Sequence, residues 1–180
     1  MLPEIISSEQ ILATKLFNVS RSTVREGEIT YQRDLILHSG SAVIIPVFDD
    51  ETVALVRQYR HAAGKYLLEL PAGSLEKGES PEICAAREVQ EEIGYNAGKI
   101  ELLTEFYVSP GFLNEKMFVF LATELTEVGQ NLDDDELLSV ERFSFPEIYQ
   151  MIFQGEFEDA KTMLGLILAG TKFGFNFANS

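Results

Sequence analysis

The stretch GSLEKGESPEICAAREVQEEIGY, residues 73–95, carries the strongest local signals in the chain. Ser80 is a good helix N-cap, because its hydroxyl can accept a backbone N–H. Pro81 suits the first helical position, where no donor is needed. Glu82 follows in the first turn, where the helix dipole favours a negative charge. Gly94 ends the pattern as a left-handed cap would. The spacing predicts a helix over residues 81–93.

At about 100° per residue, Ile83, Ala86, Val89 and Ile93 share one face of that helix, which is expected to meet the core. Glu88, Glu91 and Glu92 fall on nearly the opposite face. Three clustered carboxylates offer hard oxygen ligands suited to Mg2+ or Mn2+. Arg87 stands four residues before Glu91 and can hold that carboxylate. Taken alone, the same cluster also reads as a solvated acidic face.

The rest of the chain bounds the answer. Its 180 residues, 46% hydrophobic, suffice for one globular domain with a real core. A net charge of −15 argues against nucleic-acid backbones and anionic membranes as partners. It does not forbid a small phosphorylated substrate. The single cysteine, Cys84, excludes an internal disulfide or a cysteine-based zinc cluster, and reads as a helix-packing residue. The beginning, MLPEIISSEQ, lacks the pattern of a secretory leader, and no apolar run approaches a membrane span. A cytoplasmic location is therefore expected.

Residues 4–38 read as a meander of three short antiparallel strands, with Arg25-Glu26-Gly27-Glu28 as a turn. It has little core of its own and must pack on something. Residues 41–48 (SAVIIPVF) read as a buried strand, and 52–59 (TVALVRQY) as its hairpin partner across Asp49-Asp50-Glu51. A short strand over 67–70 leads to Pro71-Ala72-Gly73. Strands are expected over 99–108, 116–123 and 140–145, and an acidic loop over 131–136. Helices are expected over 146–154 and 159–171, the latter with Met163, Leu164, Ile167 and Leu168 on one face. The tail GFNFANS is either loose or docked by its phenylalanines. The expected fold is α/β or α+β, a sandwich around a mixed sheet. Its organisation is a meander over 1–38 and a main domain over 39–180.

Gly73, five residues, Glu79, seven residues, then Arg87-Glu88-Val89-Gln90-Glu91-Glu92-Ile93-Gly94-Tyr95 resembles the Nudix box of nucleoside-diphosphate-linked hydrolases. Every fixed position is filled. Tyr95 stands where an aliphatic residue is more usual. The resemblance implies an αβα sandwich and metal-dependent hydrolysis of a diphosphate linkage. By resemblance, Glu88 and Glu92 are metal ligands together with the Ala72 carbonyl, and Glu91 is a further ligand or a positioner. Glu79 braces the loop by pairing with Arg87. Gly73 lets the backbone turn so that the preceding carbonyl can face the metal.

Several other stretches look like the ADP-ribose pyrophosphatase subgroup: residues 38–43, Val56-Arg57-Gln58-Tyr59-Arg60, Glu69-Leu70-Pro71-Ala72-Gly73, Ser109-Pro110-Gly111 and Asp159-Ala160-Lys161-Thr162. That resemblance implies substrate-binding roles for Arg60, Arg33, Arg57, Glu69, Pro110 and Gly111. Arginine suits phosphate because its fork matches the oxygens. Arg57 also reads as a surface ion pair, and Arg33 as a solvated strand residue. Glu69 could bond a ribose or an adenine amine, and Tyr31 or Phe17 could stack on the base. Glu136, in Asp133-Asp134-Asp135-Glu136, stands where the subgroup carries a catalytic carboxylate; it reads as a general base or as a charged loop residue. His38 and His61 read as a strand end and a loop residue.

Relatives of this kind form homodimers through the N-terminal sheet, so Arg33 could serve the partner's site. The implied substrate is ADP-ribose, cleaved to AMP and ribose 5-phosphate with Mg2+ or Mn2+. The alternatives are another nucleotide sugar of the GDP-mannose type, a dinucleotide, or a non-catalytic module that senses ADP-ribose.

Overall fold

The computed structural model describes residues 2–132 and 136–175. Asp133, Asp134 and Asp135 of the acidic loop, and the last five residues of the tail, lie outside them. The first three strands, β1 (Glu4–Ala13), β2 (Asn18–Glu26) and β3 (Ile29–Leu37), form an antiparallel meander in the order β1-β2-β3. It is tied to the main body through Ile36, whose N–H donates to the Phe112 carbonyl at 2.7 Å and whose carbonyl accepts from Asn114 at 3.1 Å.

The main body has two sheets. In one, β7 (Ala72–Ser74), β4 (Ser41–Pro46), β9 (Lys116–Glu127) and β8 (Tyr95–Tyr107) lie in that order, with β4 and β9 parallel. In the other, β10 (Leu138–Ser144), β5 (Thr52–Arg60) and β6 (Lys65–Glu69) are antiparallel. The expected hairpin between 41–48 and 52–59 is therefore not a sheet pairing. A single bridge, Val47 to Val53, joins the two runs. β4 already has β7 and β9 as neighbours, and β5 has β10 and β6, so each is central in its own sheet.

Both central strands are buried on two faces, as their unbroken apolar runs require. Val43, Ile45, Val53, Leu55, Val119 and Leu121 point toward the C-terminal helices, α2 (Phe145–Gln154) and α3 (Ala160–Lys172). Ala42, Ile44, Ala54, Val56, Phe120 and Ala122 point toward α1 (Pro81–Glu88) and the π-helical turn Val89–Ile93 that continues it. Two helical layers thus enclose the sheets, giving the α+β sandwich. Each fully buried aliphatic side chain contributes about 1.5–3 kcal/mol.

The buried face of α1 differs from expectation. In α1 the buried rows are Cys84-Glu88-Glu92 and Ala85-Val89-Ile93, while Ile83 is 62% exposed and Ala86 lies on the outside. In α3 the buried residues are Thr162, Gly165, Leu166, Ala169 and Gly170, while Leu164 and Leu168 are partly exposed. The cause is close approach. A Cβ on Gly165 would stand 2.7 Å from Leu70 Cδ1, so only a small residue fits there. Ser144 caps α2 in a capping box with Glu147, and Asp159 caps α3.

Candidate active site

The 73–95 stretch folds as loop, helix and cap. Ser80 Oγ accepts the Ile83 N–H at 3.3 Å, and Pro81 opens the helix. The last turn widens to π-helical and stops at Gly94, whose φ of 80° is left-handed. The following loop then docks on that end. Val128 N donates to Gly94 O at 2.8 Å, Asn131 N to Glu91 O at 3.1 Å, and Gln130 Nε2 to Glu92 O at 2.6 Å. Carbonyls that the helix end leaves unpaired are satisfied this way. Glu136 is half-buried, near enough for its charge to act on Glu88 and Glu92.

Arg87 organises the acidic side. Its guanidinium donates to Glu79 Oε1 at 3.0 Å and Oε2 at 3.2 Å, to Glu88 Oε1 at 2.6 Å and to Glu91 Oε2 at 2.8 Å. It also reaches the Ser74 carbonyl at 3.3 Å. The hydrogen bond to Arg87 holds the Glu79 carboxyl below its ordinary range. Glu79 and Arg87 thus brace the loop before the helix against the helix itself.

Glu88 and Glu92 are buried, 7% and 2% exposed. Burial pushes Glu88 up to about 7, with Glu91 and Glu136 adding and Arg87 opposing. Burial pushes Glu92 up to about 8; Glu88 and Glu136 add to this, and the Ala72 N–H and Arg60 oppose it. The Ala72 N–H donates to Glu92 Oε2 at 3.1 Å. These two carboxylates therefore sit in a low-dielectric site without enough positive charge to neutralise them, which suits a divalent cation.

Gly73 makes room for Glu88. A Cβ at residue 73 would overlap the Glu88 carboxylate, whose farthest oxygen would be only 2.7 Å away. No set of three or more acidic, histidine or cysteine side chains converges on one point among the described residues. Arg87 holds Glu91 as well as Glu88, and of the three glutamates Glu88 and Glu92 are the buried ones. Mg2+ commonly binds through one or two carboxylates plus substrate phosphates and waters.

An open cavity of about 400 Å³ has Ala72, Gly73 and Ser74 on its wall, the strand whose Ala72 N–H bonds Glu92 and whose Gly73 abuts Glu88. Arg60 lines it and donates to both oxygens of Glu69, at 2.8 and 3.0 Å. Glu69 is 2% exposed and also accepts from Lys161, which lines the cavity too. Although burial works against it, Arg60 and Lys161 hold the Glu69 carboxyl below its ordinary range. His38, Ser41 and Glu115 form a further polar wall. Ser41 Oγ donates to Glu115 at 2.7 Å, and His38 Nε2 lies 3.4 Å from Ser74 Oγ.

Other sequence candidates lie elsewhere. Arg57 pairs with Glu141 at 2.5 Å across β5 and β10. Arg33 lies 4.2 Å over the Tyr31 ring and donates to the Gln32 carbonyl, so its contacts stay within the meander. Pro110 and Gly111 form an exposed turn closed by Phe112 N to Ser109 O at 3.2 Å. Phe17 reaches the cavity wall; Tyr31 stacks with Arg33 instead. Cys84 is buried, and its thiol is pushed up to about 12, so it is no nucleophile. Sequence reasoning missed Lys161, Ser41 and Glu115 as cavity residues. The usable signal for Lys161 was a cation in the first turn of a helix, where the dipole disfavours it.

Residues 38–165 match the NUDIX domain family. The chain belongs to the Nudix family. It is 37% identical to an ADP-ribose pyrophosphatase of Bacillus subtilis (strain 168), covering 87% of this chain and 86% of that protein. It is 34% identical to an ADP-ribose pyrophosphatase of Mycobacterium tuberculosis, covering 91% and 81%. It is 31% identical to a GDP-mannose pyrophosphatase of Salmonella typhimurium, covering 87% and 89%. A solved structure, "Crystal structure of ADP compounds hydrolase", shares the fold at a TM-score of 0.84 and 22% identity, covering 97% of this chain and 95% of that one. This Nudix chain is a pyrophosphohydrolase of the ADP-ribose pyrophosphatase-like kind, and Nudix hydrolases generally use divalent metal ions.

Proposed function

We propose that this chain hydrolyses ADP-ribose to AMP and ribose 5-phosphate with Mg2+. The observation that carries this reading is the pair of buried glutamates, Glu88 and Glu92, beside a cavity lined by two cations. Glu88, Glu92 and the Ala72 carbonyl would hold the ion. When bound, the ion neutralises phosphate charge and lowers the pKa of a coordinated water.

The chain's own residues do the rest. Arg87 fixes Glu88 and Glu91 in place. Arg60 clamps a phosphate oxygen of the substrate. Glu136 accepts the proton from the attacking water. Water oxygen adds to one phosphorus, the bridging P–O bond breaks, and the departing phosphate carries the bridging oxygen away.

The relatives at 31% identity that are named GDP-mannose pyrophosphatases support one second reading, the same chemistry on GDP-mannose. A non-catalytic ADP-ribose sensor is disfavoured by the presence of Glu88, Glu91 and Glu92 together. Residues 1–38 form a dimerisation element in this reading, and 39–180 the hydrolase domain. All ten residues of β1 are exposed, including Ile5, Ile6, Ile11 and Leu12. A second copy packed against this strand would bury part of them, and in this reading Arg33 serves the partner's site. No helix among the described residues is long and apolar enough to cross a membrane. We place the protein in the cytoplasm, acting on a small molecule rather than nucleic acid.

The test is a panel of diphosphate substrates with Mg2+ and with Mn2+, products resolved by chromatography. AMP released fastest from ADP-ribose supports the first reading. Preference for GDP-mannose replaces it with the second. Light scattering on the same preparation tests the dimer, which a monomer of full activity would remove.

A further inference from the structure

We propose that Gln130, which lies outside the 73–95 stretch, is a positioning residue for the metal site: its side-chain amide fixes the backbone of Glu92, and through it the Glu92 carboxylate. This rests on the assignment of Glu92 as a metal ligand. It adds a residue that touches neither ion nor substrate.

The last turn of the helix is where such support acts. Residues Val89–Ile93 are wound as a π-turn, wider than the α-helix before it. A wider turn redirects the side chains that follow, so the direction of Glu92 depends on that turn keeping its shape. The turn is also a helix end, where carbonyls have no partner within the helix. Backbone groups serve most of them. The Gly94 N–H is shared by the Gln90 and Val89 carbonyls. The Asn131 N–H donates to the Glu91 carbonyl at 3.1 Å, and those of Val128 and Gly129 donate to the Gly94 carbonyl at 2.8 and 3.0 Å. The Glu92 carbonyl is served by a side chain instead: Gln130 Nε2 donates to it at 2.6 Å. Among these bonds, the one on the ligand residue itself is the one that a substitution can remove.

Glu92 is thereby held at two points. Its carbonyl is bound from the 128–131 loop, and its carboxylate accepts the Ala72 N–H of β7 at 3.1 Å. These partners stand 38 and 20 residues away in sequence. With the carbonyl released, the turn is free to rewind and draw the carboxylate from its place beside Ala72. Gly94 belongs to the same arrangement. Its φ is 80°, and a Cβ there would stand 2.8 Å from Gln130 N and 2.9 Å from Gly129 C, both backbone atoms. A side chain at residue 94 would push the loop away, so glycine there lets Gln130 reach Glu92. Gln130 is itself exposed, so core packing gives no reason for its order. Ordering a glutamine side chain costs conformational entropy, which its bond to Glu92 offsets.

The test is Gln130→Met, which keeps the length of the side chain and removes the donor. Two quantities are read. One is Mn2+ binding to the substrate-free protein, followed by the paramagnetic resonance of the free ion. The other is the Mg2+ dependence of hydrolysis, on whichever diphosphate the wild type cleaves fastest. The Mn2+ dissociation constant and the Mg2+ concentration for half-maximal rate should each rise about tenfold. That is the low end for loss of a partner outside the ligand shell, because this bond is to the backbone of the ligand. KM for the diphosphate at saturating Mg2+ should change less than about threefold. Ser144→Ala, which loosens the capping box of α2, is the control for stability alone. It should lower the melting temperature and leave Mn2+ binding as it is.

A folded Gln130→Met protein with wild-type Mn2+ affinity overturns the proposal. So does a loss of affinity that Ser144→Ala matches, which would make it a consequence of stability. Where Gln130→Met does not fold, Gln130→Ala is read by the same criteria; if neither folds, the glutamine is structural and the proposal is wrong. Glu92→Gln in the same titration separates this inference from the reading beneath it. If Glu92→Gln loses Mn2+ and Gln130→Met does not, the role of Gln130 alone falls. If Glu92→Gln binds Mn2+ as the wild type does, the metal assignment falls and takes this role with it.

Discussion

Gly73→Ala separates the catalytic arrangement from the stability of the fold. The added carbon would meet all three atoms of the Glu88 carboxylate group, the farthest at 2.7 Å against an ordinary contact of 3.4–4 Å. Glu88 must therefore retreat by about 1 Å or more, since packed interiors do not yield that distance elsewhere. The obstacle is the far end of a flexible side chain, so the fold itself pays little: about 1 kcal/mol, the low end of overpacking costs. The active site loses far more. A displacement of about 1 Å at a reacting centre commonly costs about a hundredfold in rate, or about 2.7 kcal/mol of barrier. The assay is ADP-ribose hydrolysis against Mg2+ concentration, with a thermal melt of the same sample. A near-normal melt, a hundredfold loss of kcat/KM and a raised Mg2+ requirement are expected. Wild-type kcat/KM with an unchanged Mg2+ requirement would refute the assignment of Glu88.

Other outcomes follow from the same geometry. Folded-state proton affinity is raised at Glu88 and Glu92, so their contribution to stability is full below about 4.5 and is lost as pH rises through about 7 and 8. Metal-free protein should melt lower at pH 8.5 than at pH 5, and Mg2+ should restore more at pH 8.5; equal Mg2+ stabilisation at both pH values would contradict this. Glu136→Gln should lower kcat about 10²–10⁴-fold with KM little changed, as loss of a general base does; a rise in KM alone would exclude that role. Arg57→Ala removes a surface pair with Glu141 and should cost under about 1 kcal/mol in denaturant melts, with activity retained; a collapse of kcat/KM would return Arg57 to the active site.

The loop–helix–glycine unit around Glu88 was legible because its signals are local: a cap, a proline, a stop and the spacing between them. Its orientation was not. Hydrophobicity at helical spacing turned Ile83 and Ala86 inward, whereas the helix lies so close to β4 that Cys84 and Ala85 face it and two glutamates are buried. In α3 the face shared by Leu164 and Leu168 is likewise partly exposed, and Gly165 and Ala169 are buried instead. Tight packing selects small residues, which apolar periodicity undercounts. The 41–48 and 52–59 runs were recognisable as strands, but their partners lie at 116–127 and 138–144, far along the chain. The cavity was hidden for a related reason. Residues 38, 60, 74, 115 and 161 meet only once the sheets are assembled, and the partners of Glu69 come from β5 and α3.

The most direct measurement is product-resolved hydrolysis of ADP-ribose by wild type and Glu92→Gln, each saturated with Mg2+ and each shown to be folded. Wild type should release AMP and ribose 5-phosphate in equal amounts, and Glu92→Gln should release neither at a measurable rate. Near-normal turnover by Glu92→Gln would contradict the claim that this buried carboxylate helps hold the catalytic ion.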